Sequence, residues 1–189
     1  SNTRLIAVYV DAAMDRLPAL PPHDVGIVAV GASEDNRPLL ERLQGWKGQW
    51  PRQMLNNEPQ KVEMLERELL PLLFGECRHT VVPWTTAVDG MALRKLARRS
   101  GSLQYPIILR PYGAHAGKGT RKIEAKLDLV TYLNTTAHDR FTVTPFIDYS
   151  GPDGYFRKQR IVFIDRRPFA SHMAVSRRWM VHYLNADME

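Results

Sequence analysis

Apolar residues run along this chain in two rhythms. In the first 85 residues they form short unbroken runs separated by amphipathic segments. Leu5–Val10 ("LIAVYV") and Gly26–Val30 ("GIVAV") are continuous and rich in β-branched side chains, which predicts strands buried on both faces. The proline-rich "LPALPPHD" between them predicts loop. "GASEDNRPLLERLQGW" then predicts a helix with Asn36 as cap, Pro38 in the first turn and Gly45 past the end. A short strand at Gln53–Asn56 follows. "EPQKVEMLERELLPLLF" puts Val62, Leu65, Leu69 and Leu70 on one helical face behind Pro59. Strand, helix, strand, helix with unbroken apolar strands predicts a parallel sheet covered by helices.

After residue 85 the rhythm changes. "HTVVPWTTAVDG" predicts a strand and a connector, and Met91–Arg99 a short helix with Leu93 and Leu96 inward. Pro106–Arg110 predicts a strand, "TRKIEA" an alternating strand, Lys126–Leu133 a helix and Arg140–Ile147 a further strand. Arg157–Ile164 and Pro168–Val175, joined by "DRR", predict a hairpin with a short polar turn. The pattern therefore predicts α/β plus α+β architecture. A parallel α/β domain over residues 1–85 is followed by a mixed antiparallel domain over 86–189. No internal repeat or low-complexity tract interrupts either part.

Composition adds little until it is divided at the same place. Across all 189 residues the apolar share is 44% and the net charge +6. Residues 1–90 hold 9 Lys and Arg against 12 Asp and Glu, a balance of −3. Residues 91–189 hold 17 against 8, a balance of +9. That asymmetry predicts an anionic partner, nucleotide phosphate or nucleic acid, for the second half. One cysteine, Cys77, allows no disulfide within the chain and fits a reducing, cytoplasmic setting. No apolar run reaches the length of a membrane span, and Leu5–Val10 is too short for a signal-peptide core.

The clearest chemical signal is "YPIILRPYGAHAGKGT", residues 105–120. An apolar strand ends in Arg110-Pro111 and runs into three glycines, His115 and Lys118. A Walker loop needs four residues between its first glycine and Gly-Lys, then Ser or Thr, then a helix. Here Gly113 and Gly117 enclose three residues, Lys118 precedes Gly119, and "TRKIE" reads as strand. The segment is therefore a hairpin tip. Its backbone N–H groups can turn inward to hold phosphate, with Lys118 and Arg110 adding charge. The six histidines show no metal-ligand spacing with one another or with Cys77. No nucleophile elbow supports Ser–His–Asp chemistry. "WMVHY", containing Trp179, His182 and Tyr183, reads as packing or as a substrate face.

The order of these pieces resembles the ATP-grasp superfamily, in its glutathione-synthetase-like branch of carboxylate–amine ligases. The stretches that carry the resemblance are "QMLNNEP", "LERELL", "VVPWTT", "YPIILRPYGAHAGKGT", "TVTPFIDY" and "RKQRIVFIDRRPFASHMAVSRRWMVHYLNADM". The last is similar to a bacterial subfamily often fused to tetratricopeptide repeats. The resemblance implies a pre-ATP-grasp domain, then the ATP-grasp lid and the first strands of the larger subdomain. It implies ATP and Mg²⁺ as cofactors, and activation of a carboxylate as an acyl phosphate for attack by an amine. Arg110 falls where the family usually has the lysine that touches adenine and α-phosphate, and Arg67, in Glu66-Arg67, falls where the family has Asp-Lys among its nucleotide-binding residues. Gly113, His115, Gly117, Lys118 and Gly119 would form the flap over the phosphates. Thr144, Pro145, Phe146 and Ile147 would form the adenine hinge. Arg160 would hold phosphate or acyl phosphate.

Three departures from the family pattern shape the expectation. Both lysines are arginines here, and Pro145 stands where the hinge usually carries an acid, which removes a backbone donor. The family's late magnesium ligands have no counterpart, since the only acids near the end are Asp187 and Glu189. The chain thus reads as a fragment that stops before the metal platform. Two other classes stay open at this point. One is an ATP-grasp-like scaffold without catalysis. The other is a basic nucleic-acid-binding module, which lacks a helix–turn–helix pattern or aromatic-interleaved basic strand.

Overall fold

The structure is a computed structural model. It describes all residues except 1, 32, 34, 59–60, 63–65, 100, 115–116 and 183–189. The chain divides into two compact units, Ser1–Val82 and Pro83–Glu189.

In the first unit, strand β1 (Val25–Ile27) pairs in parallel with β2 (Gln53–Leu55), Gly26 lying opposite Met54. Helix α1 (Arg37–Trp46) connects them, so the predicted parallel strand–helix–strand unit is present. Its core is small. Val28, Leu43 and Trp46 pack with Val10, Met14, Leu17, Val30, Leu39 and Met54. A further helix, α2 (Leu70–Phe74), is the last described helix of this unit.

Four expectations for this unit are corrected. Leu5–Val10 is not a strand: Leu5 is 90% and Tyr9 88% exposed, and only Val10 reaches the core. β-Propensity is realised only against a partner edge, and β1 takes its described partner from β2. Gly26–Val30 shortens to a three-residue strand with alternating burial, not burial on both faces. Gly45 lies inside α1, because the buried Trp46 carries the helix one residue beyond it, before a single 3-10 turn at Lys47–Gln49. The helix expected from Pro59 onward appears only as the helical pair Lys61–Val62 and as α2, with turns at 67–69. Pro59 and Leu65 lie outside the described residues.

The second unit holds an antiparallel sheet of order β3-β6-β4-β5. Its strands are β3 (Thr86–Asp89), β4 (Ile107–Pro111), β5 (Arg121–Ile123) and β6 (Arg140–Pro145). Helices α3 (Gly90–Arg98) and α4 (Lys126–Thr135) supply Leu93, Ala97, Leu129 and Leu133 to the core. These pack on Ile107, Leu109, Ile123 and Phe141 from the strands. Strict alternation in β4 explains the arrangement. Ile107, Leu109 and Pro111 are buried under the helices, while Ile108 and Arg110 point to the opposite face.

The starts of α3 and α4 are each fixed by an acid. Asp89 Oδ1 accepts from the backbone N–H groups of Met91 (2.7 Å) and Ala92 (3.3 Å). Asp128 Oδ2 accepts from the N–H groups of Glu124 (3.2 Å) and Ala125 (3.0 Å). Asp89→Ala removes the only described side-chain cap of α3 and is expected to cost about 1 kcal/mol in thermal or denaturant unfolding. Asp89→Asn, which keeps an acceptor, is expected to restore most of it.

Beyond the sheet, β7 (Phe156–Ile164) and β8 (Arg167–Ser176) form the expected hairpin. Its turn is two residues, Asp165 and Arg166, at φ 48° and 64°. Two consecutive positive φ values match the twist of the strands, and Arg167 is already paired with Ile164. The register slips once, between Arg160 and Ile161, leaving Ser171 as a bulge on β8.

Candidate functional site

The face of the four-stranded sheet away from the helices is polar. Register puts Arg110 opposite Thr142 and Ile108 opposite both Thr144 and Lys122. Arg110 Nε donates to the buried Thr120 Oγ1 at 3.1 Å, and the Thr85 and Thr144 hydroxyls lie 3.0 Å apart. Thr142 and Thr144 share this face because they alternate along β6, where a β-branched side chain that also carries a hydroxyl fits. One cation, Arg110, is thus held in a fixed orientation at the base of the glycine-bearing tip.

In that tip, Gly113, Gly117 and Gly119 all have positive φ, at 69°, 73° and 66°. The spacing of glycines therefore has a conformational cause that needs no ligand. Gly119 and Gly117 are also crowded. A Cβ on Gly119 would lie 2.7 Å from Pro111 Cγ, and one on Gly117 would lie 3.2 Å from Met180 Sδ. Tyr132 clamps the tip by donating its hydroxyl to the Gly119 carbonyl at 2.7 Å. Lys118 is exposed at the apex. His115 lies outside the described residues.

At the hinge, Thr144 and Pro145 end β6. The Phe146 N–H donates to the Pro106 carbonyl at 3.0 Å. Pro145 has no N–H, so of the last three hinge residues only Ile147 offers a backbone donor without a partner among the described residues. This narrows the expectation that hinge backbone groups in general face a ligand. Next to the hinge opens a cleft of about 380 Å³, lined by Lys122, Phe146, Asp148, Phe156, Arg177, Arg178, Trp179 and Met180. Lys122 Nζ sits 3.9 Å from the Phe146 ring centre. Trp179 meets the same ring edge-on, with centres 6.1 Å apart and planes at 85°.

The cleft is electropositive. Lys122, Arg177 and Arg178 face one carboxylate, Asp148, which hydrogen bonds from Ser150 hold below the usual range and so keep ionised. The Arg177 guanidinium lies over the Tyr155 ring and donates to its hydroxyl at 3.0 Å. Tyr149 donates its hydroxyl to the Trp179 carbonyl, which ties the segment after β8 to the hinge loop. Burial raises the Tyr149 pKa. Asp153 is held down to about 2, first by its hydrogen bond from Arg157, and this pair shapes the turn between the hinge and β7.

The site residues expected from sequence fall into three groups. Arg110, Gly113, Gly117, Lys118 and Gly119 share one strand end and its tip, while Thr144, Pro145, Phe146 and Ile147 adjoin the cleft. Arg160 stands apart on β7, exposed, in a separate hollow with Lys158, His172 and His182. Arg67 belongs to the first unit and is exposed. Sequence reasoning missed Lys122, Asp148, Arg177 and Arg178, and read Trp179 more readily as packing. One signal was available: Lys122 follows Thr120 by two in an alternating strand, which puts both on the face of Arg110.

No protein-family model matches the chain, and none of the curated proteins is similar to it. Among solved structures, the chain is similar to the D-alanine–D-alanine ligase of Helicobacter pylori. The TM-score is 0.48 and the identity 12%, over 72% of this chain and 41% of that one. The chain thus spans about two fifths of that enzyme's length, and a likeness so distant decides nothing about chemistry. Among the described residues, no helix is long and apolar enough to cross a membrane.

Proposed function

We propose that the second unit is a nucleotide-binding portion of an ATP-grasp ligase of the glutathione-synthetase-like branch, which activates a carboxylate as an acyl phosphate for attack by an amine. In this reading the first unit is the substrate-side domain. What supports it is one observation: a cleft with aromatic walls and three cations lies beside the hinge, and the glycine tip packs against Met180, which lines that same cleft.

The cleft is large enough for a purine base, and its donors suit one. Phe146 and Trp179 supply apolar walls on which a flat heterocycle can rest. The Ile147 N–H can donate to a ring nitrogen. Lys122 places a positive charge at the edge of the stack, and Arg110, fixed by Thr120, lies on the same sheet face. ATP, when bound, would supply the phosphoryl group. The chain's own part would be to hold the base at the hinge, hold the phosphates with tip amides, Arg110 and Lys118, and exclude water by the tip. By the same resemblance Arg160 would neutralise phosphate charge. Among the described residues, no three His, Cys, Asp or Glu side chains converge as a metal site.

The test is an NMR titration of the whole chain with ATP, adenosine and pyrophosphate. ATP is expected to shift the amides of Gly117–Thr120 and of Phe146–Asp148 together, adenosine only the latter, and pyrophosphate only the former. Lys122→Ala is expected to weaken ATP binding about tenfold, the loss of one charge-assisted contact. No shift at either place at millimolar ATP would refute the reading.

A further inference from the structure

Asp148 is the one carboxylate among the residues that line the hinge cleft, where it stands with three cations, Lys122, Arg177 and Arg178. Among the described residues it forms an ion pair with none of them. It accepts instead from the backbone N–H of Ser150 at 2.9 Å, which fixes its place in the loop after β6. The hydrogen bonds from Ser150 hold its carboxyl below the usual range, with a smaller share from Lys122, so it stays an acceptor at neutral pH. An ionised carboxylate has about four lone-pair positions, and the bonds from Ser150 leave acceptor positions unused.

The hinge backbone beside it supplies little. Pro145 has no N–H, and the Phe146 N–H is bound to the Pro106 carbonyl, so the donor next in line is the Ile147 N–H. One donor and one charged acceptor therefore come from adjacent residues, Ile147 and Asp148. A purine resting on Phe146 and Trp179 meets this pair with its edge. Adenine offers an amine and a ring nitrogen there and makes two bonds. Guanine offers its O6 acceptor beside two donors, N1–H and N2–H, and makes three. Two of those three go to a charged acceptor, the stronger kind of hydrogen bond. Adenine turned the same way round as guanine would set its N1 lone pair against the carboxylate.

We infer that this cleft prefers guanine to adenine, with Asp148 as the residue that selects the base. The inference rests on the reading of the cleft as a nucleotide site and adds to it which purine is held best. Adenine still fits, with one bond fewer.

The test is calorimetry of the whole chain with GDP, IDP and ADP, which share ribose and phosphates and differ in the base. GDP is expected to bind about tenfold more tightly than ADP. IDP, whose base lacks the N2 amine, should fall between them. Asp148→Asn keeps an acceptor for the Ser150 N–H and adds an amide donor. It is expected to weaken GDP about tenfold and to change ADP far less. The same variant is expected to raise the affinity for XDP relative to GDP, because xanthine carries a carbonyl where guanine carries the N2 amine. A merely loop-shaping Asp148 would not exchange one base for another. The amide spectrum of β4 and β6 in the free variant should be unchanged, which checks the fold. Equal binding of GDP and ADP, or an equal loss of both in Asp148→Asn, would overturn the inference and leave the nucleotide reading standing. No binding of any of the three at millimolar concentration would overturn both.

Discussion

Replacing Phe141 with alanine is expected to lower the stability of the second unit by about 3–5 kcal/mol, the usual cost of removing a buried phenyl ring. Phe141 is fully buried and sits at the centre of the core formed by α3, α4 and the sheet. Its ring meets Tyr132 edge-on at 6.0 Å and packs against the first residue of α3, where a Cβ on Gly90 would lie 3.3 Å from it. Nothing nearby is free to collapse into the space, because the neighbouring strand residues Leu109 and Pro111 are themselves fully buried. Hydrogen exchange at the amides of β4 and β6 reads the effect in that unit alone. A loss below about 1 kcal/mol would contradict the central position given to this ring.

Gly119→Ala is expected to cost about 2 kcal/mol or more, a left-handed penalty of about 1–2 kcal/mol with a clash added. The added Cβ would lie 2.7 Å from Pro111 Cγ and 3.1 Å from its Cδ, and a proline ring cannot rotate away. Gly101→Ala is the comparison, since Gly101 has φ +73° with nothing within 4 Å. It is expected to show only the conformational share. Gly117→Ala should fall between them, because the atom it meets is the flexible thioether of Met180. Denaturant unfolding of the three variants gives the order. Equal losses at Gly119 and Gly101 would mean that Pro111 does not crowd the tip. Should the order hold, the glycines serve the loop's own geometry first and any ligand second.

This changes the meaning of the signal that stood out in the sequence. Three glycines beside a lysine suggest phosphate, because only residues without side chains let a backbone lie against an anion. In the folded chain each of these glycines already has a positive φ, and two of them press against Pro111 and Met180. The proposal of a nucleotide site therefore draws more from what stands around the tip than from the tip itself.

Sequence alone determined the elements wherever periodicity and a local stop signal agreed. The alternation of Ile107–Pro111, the hairpin of β7 and β8, and helices α3 and α4 were legible because pleat, turn chemistry and amphipathic spacing are local properties. It also determined the parallel pairing of the first unit through the strand–helix–strand order. Tertiary structure alone decided three things. Leu5–Val10 has the composition of a strand but no strand ladder in the structure, and hydrogen bonds to a neighbour cannot be read from a run of apolar residues. Gly45 was overridden by a buried tryptophan one residue later. The cleft gathers Lys122, Phe146 and Trp179 from positions up to 57 residues apart, and the separate hollow on the hairpin joins Arg160 to His172 through a one-residue bulge. Such groupings depend on register and on the path of the chain after β8, which many distant contacts fix together, so residue spacing carries no trace of them.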